Sequence, residues 1–305
     1  MRRSFSDETL YALVLLRQAV VSHTDDPAAE YLKWALLATL RDVAEVKVGW
    51  PYQRPGVARK PRHTDALKRF LARAQNIATD LDSVGAAAPA VVSAQVVSGD
   101  SRDPTAWAQL SGSGTACVAS PPYLNNFDYA DATRLELYFW GDVTTWGDMC
   151  REVRADMVTA TTQQSSVRGK ADALDLLRLR VATHPAPAKE IVELVDDMTR
   201  VKKERQKRSK EYDQVAPAYF VAMWDILQNL HDFLEPGSKA VWLVGDSAPY
   251  GVYIDTPRLI GEMSEAVGFT FTEDVHLRAR GDRWGQNTDR HNVKLAERLI
   301  VMEKP

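Results

Sequence analysis

The stretch ACVASPPY, residues 116–123, ends a short apolar run in two consecutive prolines. Each proline lacks a backbone N–H and holds φ near about −65°, so a central strand cannot continue through the pair. The run 116–119 therefore predicts a strand that stops at Ser120. A hydroxyl and several carbonyl oxygens are left there without strand partners, and what they face determines the role of this part of the fold.

Two other apolar runs end in polar turns and predict further strands. Residues 94–97 lead into Gly99-Asp100, and residues 239–244 lead into Gly245-Asp246-Ser247. In open α/β sheets, ligands bind beyond the carboxyl ends of the strands. A single Gly-Asp pair is usually an ordinary turn, but three polar strand ends favour a binding site at one edge of the sheet.

The Ser-Pro-Pro-Tyr element has the chemistry needed for a reaction at a base amine. Such an amine is a poor nucleophile because its lone pair is delocalised into the ring. Ser120 Oγ and the carbonyl oxygen of Pro121 are acceptors that would favour the pyramidal, attacking amine, and the prolines fix their direction. Tyr123 offers a ring on which an extruded base can stack. The alternative interpretation is a strand-terminating turn with a packed tyrosine.

From residue 94 onward the chain resembles the DNA amino-methyltransferases, which transfer a methyl group from S-adenosylmethionine to N4 of cytosine or N6 of adenine. The resemblance rests on segments that follow the family's order and spacing. They are VVSGDSRD (96–103), VASPPYLNNFDYADATRLELYFWG (118–141), YFVAMWDILQNLHDFLEPGSKAVWLVGDS (219–247), GFTF (268–271) and RGDRWGQNTDRHNVKLAERLIVMEK (280–304).

The resemblance implies roles for residues in these motifs. The catalytic loop corresponds to Ser120, Pro121, Pro122 and Tyr123, and serine in the first place is commoner in enzymes that methylate N4 of cytosine. Asp100, preceded by Gly99, corresponds to the cofactor-binding residue that faces the adenine of S-adenosylmethionine. The residues that follow the loop closely enough to line the base pocket are Asn125, Asn126, Asp128 and Tyr129.

The family's glycine-rich cofactor motif is not found in the sequence. The segment SGSG (111–114) precedes the catalytic strand instead of following a strand and opening a helix, so it predicts a surface turn. The resemblance implies the strand order 3-2-1-4-5-7-6, and a sheet without its first two strands exposes apolar faces and unpaired edges. We therefore expect a complementary subunit that carries the glycine-rich motif, unless residues 1–90 rearrange the fold.

The expected fold class is α/β: a partial Rossmann-like sheet of an S-adenosylmethionine-dependent methyltransferase, with an N-terminal helical region. The predicted domains are a helical region with a basic loop at 1–90 and a catalytic region at 91–305. Within the latter, residues 142–215 form a helical insert suited to target recognition.

Helical periodicity covers residues 5–49 and 63–82 in the N-terminal region. In the catalytic region it covers 219–234 and 256–267. Apolar alternation at 269–277 and 295–303 predicts an antiparallel pair that closes the sheet.

Basic residues cluster in two places that predict contacts with DNA phosphates. A solvated helix face is an equally good interpretation of the run at 201–212. The predicted DNA-binding residues are Lys202, Lys203, Arg205, Arg208, Arg59 and Lys60.

The composition is that of an ordinary globular protein of 305 residues, 45% hydrophobic and 26% charged. The net charge of −3 gives no global attraction to DNA, so DNA binding must rest on local basic patches. No apolar run approaches the about 20 residues of a transmembrane helix, which favours a cytoplasmic protein without a membrane partner. The histidines lack metal-ligand spacing, so no metal is expected.

The sequence favours a site-specific DNA methyltransferase, or a subunit of one, that uses S-adenosylmethionine to methylate an exocyclic amine in a restriction-modification context. N4 of cytosine is the preferred target. Two alternatives remain open. The missing glycine-rich motif favours a DNA-binding or regulatory subunit without catalysis, and similar Pro-Pro-Tyr loops also act on RNA bases.

Overall fold

The computed structural model describes residues 4–45, 65–87, 94–124, 128–161, 167–205, 211–280 and 293–305. The chain divides into two compact units, the first comprising Met1–Ala94 and Tyr129–Val153, the second Gln95–Asp128 and Arg154–Pro305. The first unit thus includes residues 129–153, which the predicted division at residue 90 assigns to the C-terminal region.

Among the described residues, the elements before Gly114 are helices, and strands occur together with helices from Gly114 onward. A π-helix spans Met149–Arg154, and a 3₁₀ turn spans Pro249–Gly251. In chain order the other elements are α1 (Asp7–Val21), α2 (Ala28–Val43), α3 (Ala66–Ala87), α4 (Pro104–Trp107), β1 (Gly114–Ala119), α5 (Tyr129–Trp140), α6 (Trp146–Asp148), α7 (Val167–Arg180), α8 (Pro185–Glu204), α9 (Tyr212–Phe233), β2 (Leu234–Gly245), α10 (Thr256–Ala266), β3 (Thr270–Arg280) and β4 (Leu295–Glu303).

The first unit is a helical body with its own core. Its first helix, α1, begins at Asp7, within the predicted range, because Ser6 caps it by accepting a hydrogen bond from the Thr9 amide at 3.2 Å. The core contains the fully buried Leu13, Leu36 and Leu40. The helices predicted within 5–49 and 63–82 are confirmed at 7–21, 28–43 and 66–82, whereas residues 22–27 connect α1 to α2 without helix.

The second unit is built on a four-stranded mixed sheet in the order β1-β2-β4-β3. β1 pairs in parallel with β2, whereas β4 runs antiparallel to both β2 and β3. The strand that stops before Ser120, the strand within 239–244 and the closing antiparallel pair are all confirmed. The α/β class is therefore correct.

Helices cover one face of this sheet. That face carries Ala240 and Trp242 of β2 and Ile300 of β4, each at most 2% exposed, and α9 and α10 contribute to the same apolar cluster. α10 packs closely on β3, since a Cβ at Gly261 would lie 2.5 Å from the Phe271 ring. Burial of this face supplies the main core of the unit.

The opposite face of the sheet carries aliphatic side chains that remain partly open. Register pairs Val118 with Val241 and Val241 with Val301, so these three side chains share a face. One step along, Leu243 pairs with Leu299 and Leu299 with Val275. Val118 is 86% exposed and Val275 is 42% exposed. We call these six residues the open face.

The strand predicted at 94–97 is wrong. The segment forms no strand, and Val96 is 96% exposed. The side chain of Gln95 instead bonds locally, donating to the Gln109 carbonyl at 2.7 Å and accepting from the Ser111 amide at 3.2 Å. A strand needs a neighbouring strand for its backbone hydrogen bonds, and no described residue supplies one on this side of β1.

Candidate functional site

The Ser-Pro-Pro-Tyr loop lies beside the end of the next parallel strand. Ala119, the last residue of β1, is in register with Trp242, so the loop runs alongside the final residues of β2. Ser120 is exposed and its Oγ donates a long hydrogen bond of 3.4 Å to the carbonyl oxygen of Leu243. The loop therefore stands at the carboxyl edge of the sheet, as the prolines predict.

Tyr123 packs its ring against the end of β2. A Cβ at Gly245 would lie 2.9 Å from Tyr123 Cδ2, and the guanidinium carbon of Arg280 lies 5.0 Å from the ring centroid. Burial raises the pKa of the Tyr123 phenol, and the negative charge of Glu297 adds to this effect while Arg280 opposes it. The phenol is therefore neutral at physiological pH, and its ring packs against Gly245 and Arg280.

Asp246, in the second predicted polar turn, holds the end of the sheet together. Its Oδ1 accepts from the Ala296 amide at 2.7 Å, and its Oδ2 accepts from the Tyr253 hydroxyl at 3.1 Å. Burial raises the pKa of Asp246, while these hydrogen bonds act in the opposite direction. Asp246 thus links the end of β2 to β4 beside the Ser-Pro-Pro-Tyr loop.

Two buried hydroxyls near this edge have no hydrogen-bond partner among the described residues. Ser247 is 4% exposed and follows Asp246, and Tyr219 is fully buried on α9. The pKa of Tyr219 is strongly raised by burial, with a further contribution from Tyr123, which places the two phenols in the same region. The sequence predicted Ser247 in a polar turn at a strand end, whereas Tyr219 was not identified.

Asp100 and Gly99, the predicted cofactor-binding residues, lie in a loop that is tied to α9. Asp100 pairs with Arg102, whose Nε and Nη2 donate to both carboxylate oxygens at 2.5–2.9 Å. Burial opposes ionisation of Asp100, but the hydrogen bonds from Arg102 outweigh it and lower the pKa. The amide of Asn229 on α9 donates to the carbonyl oxygens of Ser101 and Arg102.

No hydrogen bond or ion pair among the described residues joins Asp100 to the Ser-Pro-Pro-Tyr loop. The structure therefore does not bring the predicted cofactor-binding and catalytic residues into direct contact. Gly99 is closely packed, since a Cβ there would lie 2.8 Å from Ala106 Cβ. Its lack of a side chain is explained by that contact.

Two of the four predicted base-pocket residues lie in described parts of the chain. Asp128 is 4% exposed and forms a buried ion pair with Arg154, with Oδ2 and Nη2 2.8 Å apart. Tyr129 is 45% exposed and begins α5. Asn125 and Asn126 lie outside the described residues. The ion pair gives Asp128 a structural partner, and its role in base binding stays a prediction.

The predicted DNA-binding residues differ in their surroundings. Lys202 Nζ donates to both carboxylate oxygens of Asp213, at 2.8 and 3.1 Å, so its positive charge is paired with a carboxylate of the same chain. Lys203 is exposed, and Arg205 lies with its guanidinium carbon 5.7 Å from the Tyr250 ring. Arg208, Arg59 and Lys60 lie outside the described residues.

Comparison of the chain with protein-family models, with curated proteins and with solved structures finds no match. Within the described ranges, no helix is long and apolar enough to cross a membrane. The same ranges contain no group of three or more His, Cys, Asp or Glu side chains placed to hold a metal ion.

Proposed function

We propose that this chain is the catalytic-loop part of a DNA amino-methyltransferase, whose methyl acceptor is the exocyclic amine of an extruded base, preferably N4 of cytosine. One observation carries the proposal. The loop Ser120–Tyr123 stands at the carboxyl edge of a parallel strand pair, with an exposed serine and a tyrosine ring fixed beside it.

The strand order supports the proposal. The resemblance implies the order 3-2-1-4-5-7-6, and β1-β2-β4-β3 corresponds to the last four strands of that series. The proline-terminated strand then takes the fourth place, where the family's catalytic loop is expected. The finer assignment, a partial Rossmann-like methyltransferase sheet, is part of the proposal.

The chemistry proposed for the loop concerns the base alone. Ser120 Oγ donates to the Leu243 carbonyl and is also hydrogen-bonded to the Tyr123 phenol, which leaves one lone pair able to accept an N–H of the amine. The carbonyl oxygen of Pro121 is the second acceptor. Acceptors aimed at both N–H groups favour the pyramidal amine in the transition state, and their fixed directions avoid reorganisation during the reaction. Tyr123 stacks on the base.

The described residues do not fit S-adenosylmethionine on their own. Asp100, the one residue expected to meet the adenine, has its carboxylate bonded to Arg102. Among the described strands, β1 is at the edge of the sheet, so no strand lies beyond it to support the methionyl part. We therefore derive no step through the cofactor from these residues and propose that a second polypeptide supplies its site.

The open edge and the open face favour such a partner. Where the structure describes the chain, β1 hydrogen-bonds only to β2, which leaves a row of backbone donors and acceptors on its outer side. Val118 on that strand is 86% exposed and adjoins the aliphatic side chains of Val241 and Val301. Unpaired edges and contiguous exposed apolar surface are typical of association sites.

A non-catalytic DNA-binding or regulatory subunit is the second candidate. The contact between Asp100 and Arg102 favours it, because the arginine occupies the carboxylate expected to face the cofactor. On this alternative, the Ser-Pro-Pro-Tyr loop is only a strand-terminating turn. The two candidates differ in whether the loop residues affect methyl transfer.

The test is methyl transfer by the chain together with a polypeptide that carries a glycine-rich cofactor motif, which is first sought in the open reading frame immediately upstream. Unmethylated genomic DNA and S-adenosylmethionine are the substrates, and mass spectrometry of the digested DNA identifies the product. We expect N4-methylcytosine. Detection of N6-methyladenine would show that the target base is adenine instead of cytosine. Absence of both modified bases would favour the non-catalytic candidate.

A further inference from the structure

Arg280 contacts the catalytic loop although it lies at the end of β3, far from that loop in sequence. Its guanidinium carbon is positioned over the face of the Tyr123 ring, 5.0 Å from the centroid. Its Nη1 donates to the carbonyl oxygen of Asp246 at 3.0 Å. The Arg280 side chain is only 10% exposed, so the guanidinium is enclosed between the ring and the end of β2.

Glu297 on β4 holds the guanidinium from another side. Its Oε1 lies 3.7 Å from Arg280 Nε, and its Oε2 accepts from Arg278 Nε at 2.5 Å. Glu297 is 8% exposed, and a buried carboxylate requires cationic partners. Arginine is suited to this position because its planar group can lie on an aromatic face and bind two acceptors together, which a lysine ammonium cannot.

Gly245 leaves the space that this arrangement needs. A Cβ at Gly245 would overlap Arg280 Nη1 and would lie 2.9 and 3.0 Å from Tyr123 Cδ2 and Cε2. Gly245 is the last residue of β2 and is not among the glycines with positive φ. The approach of two side chains, and not a special backbone conformation, therefore requires glycine here.

We infer that Arg280 is a positioning residue for Tyr123, held by Glu297 and the Asp246 backbone, with Gly245 as the spacer that lets the two side chains meet. The guanidinium covers one face of the phenol ring, so a base can stack only on the opposite face. The use of that stacking surface rests on the proposed function. The contact between Arg280 and Tyr123 does not.

The full-length chain labelled with ¹³C in its tyrosine rings tests the contact by NMR. The Tyr123→Phe variant identifies the Tyr123 signal. We expect Arg280→Lys and Gly245→Ala to shift that signal and leave the other tyrosine signals in place. The matched controls Arg178→Lys, an exposed partner of Asp175, and Gly85→Ala, with no atom within 4 Å of the added Cβ, should leave it unchanged. An unshifted Tyr123 signal in both test variants overturns the inference.

Methyl transfer by the complete enzyme separates this inference from the proposed function. With labelled S-adenosylmethionine and unmethylated genomic DNA, we expect Arg280→Lys and Gly245→Ala to lower kcat at least tenfold, with KM for S-adenosylmethionine unchanged. An unchanged kcat in an active enzyme overturns the positioning role. If the wild-type enzyme transfers no methyl group, the proposed function fails, and the Tyr123 signal alone decides whether Arg280 positions the ring.

Discussion

Ser120 and Tyr123 are the residues through which the proposed chemistry acts on the base. We expect Ser120→Ala to lower kcat by on the order of 10²-fold, because loss of one oriented hydrogen-bonding group costs about 3 kcal/mol in the barrier. Tyr123→Ala should lower it similarly through lost stacking. Methyl transfer by the complete enzyme measures both effects. The control is Ser83→Ala, an exposed serine on α3 whose hydroxyl bonds only its own helix. Wild-type rates in both loop variants would contradict the assignment.

Lys202 and Lys203 are adjacent in sequence but differ in their contacts, which makes them a matched pair. Lys202→Gln removes the ion pair with the mostly buried Asp213, and we expect it to lower the free energy of unfolding by about 1.5–3 kcal/mol. Lys203→Gln should leave stability within about 0.5 kcal/mol, because the residue is exposed.

Urea unfolding measures the two stabilities, and the salt dependence of DNA binding measures the electrostatic contribution. If Lys203 contacts a phosphate, Lys203→Gln reduces the slope of log K for DNA binding against log salt concentration by about one, because one fewer counterion is released. An unchanged slope would show that Lys203 is on a solvated helix face, the alternative interpretation of this basic run.

The ion pair between Asp100 and Arg102 should make the stability of the chain depend on pH. The pKa of Asp100 is lowered in the folded chain, so its interaction with Arg102 contributes stability above the ordinary aspartate pKa of about 4. That contribution is lost as the pH falls through the folded pKa. We expect Arg102→Ala to be destabilising at pH 7 and less so at pH 3, below the ordinary aspartate pKa. Urea unfolding at both pH values checks this, and an equal destabilisation at the two would contradict it.

The edge strand β1 is the element most open to association. Val118 is 86% exposed, so we expect Val118→Lys to leave the free energy of unfolding within about 0.5 kcal/mol. The same variant should reduce self-association of the isolated chain, because a lysine on an edge strand opposes pairing with another edge. Analytical ultracentrifugation measures the association. Val84→Lys, on the exposed side of α3, is the control, and equal association of wild-type and Val118→Lys would contradict the role of the edge.

Elements whose sequence signals are local were predictable. β1 ends before Ser120 because prolines cannot continue a strand, and α1 begins after Ser6 because that serine caps it. The start of α9 was predicted too late, at residue 219. The structure begins α9 at Tyr212 and buries Pro217 inside the helix.

Elements and contacts that depend on distant residues were not predictable. Residues 94–97 have the composition of a strand, but strand formation requires a neighbouring strand, which the sequence of the segment cannot show. At the site, the Ser-Pro-Pro-Tyr loop was recognisable because its prolines and tyrosine are consecutive, and its catalytic role stays a prediction. Arg280 and Gly245 were missed, because only the sheet register brings them to Tyr123.

At the scale of the whole molecule, the chain has two cores of different kinds. The helical unit is organised around α1, α2 and α3, and the sheet unit buries one face of four strands beneath α9 and α10. The sheet unit has an edge and an open aliphatic face next to the Ser-Pro-Pro-Tyr loop. We therefore expect the complete enzyme to be an assembly in which another polypeptide extends this sheet.

The central claim is that the catalytic loop of this chain depends on a cofactor site supplied by that polypeptide. Asp100 alone offers S-adenosylmethionine about one hydrogen bond, a net of about 0.5–1.5 kcal/mol. Micromolar affinity requires about 8 kcal/mol. Calorimetry of S-adenosylmethionine with the isolated, monodisperse chain is the most direct test. We predict no saturable binding up to about 1 mM, which corresponds to about 4 kcal/mol, and binding restored by the partner. Micromolar binding by the chain alone would contradict the claim.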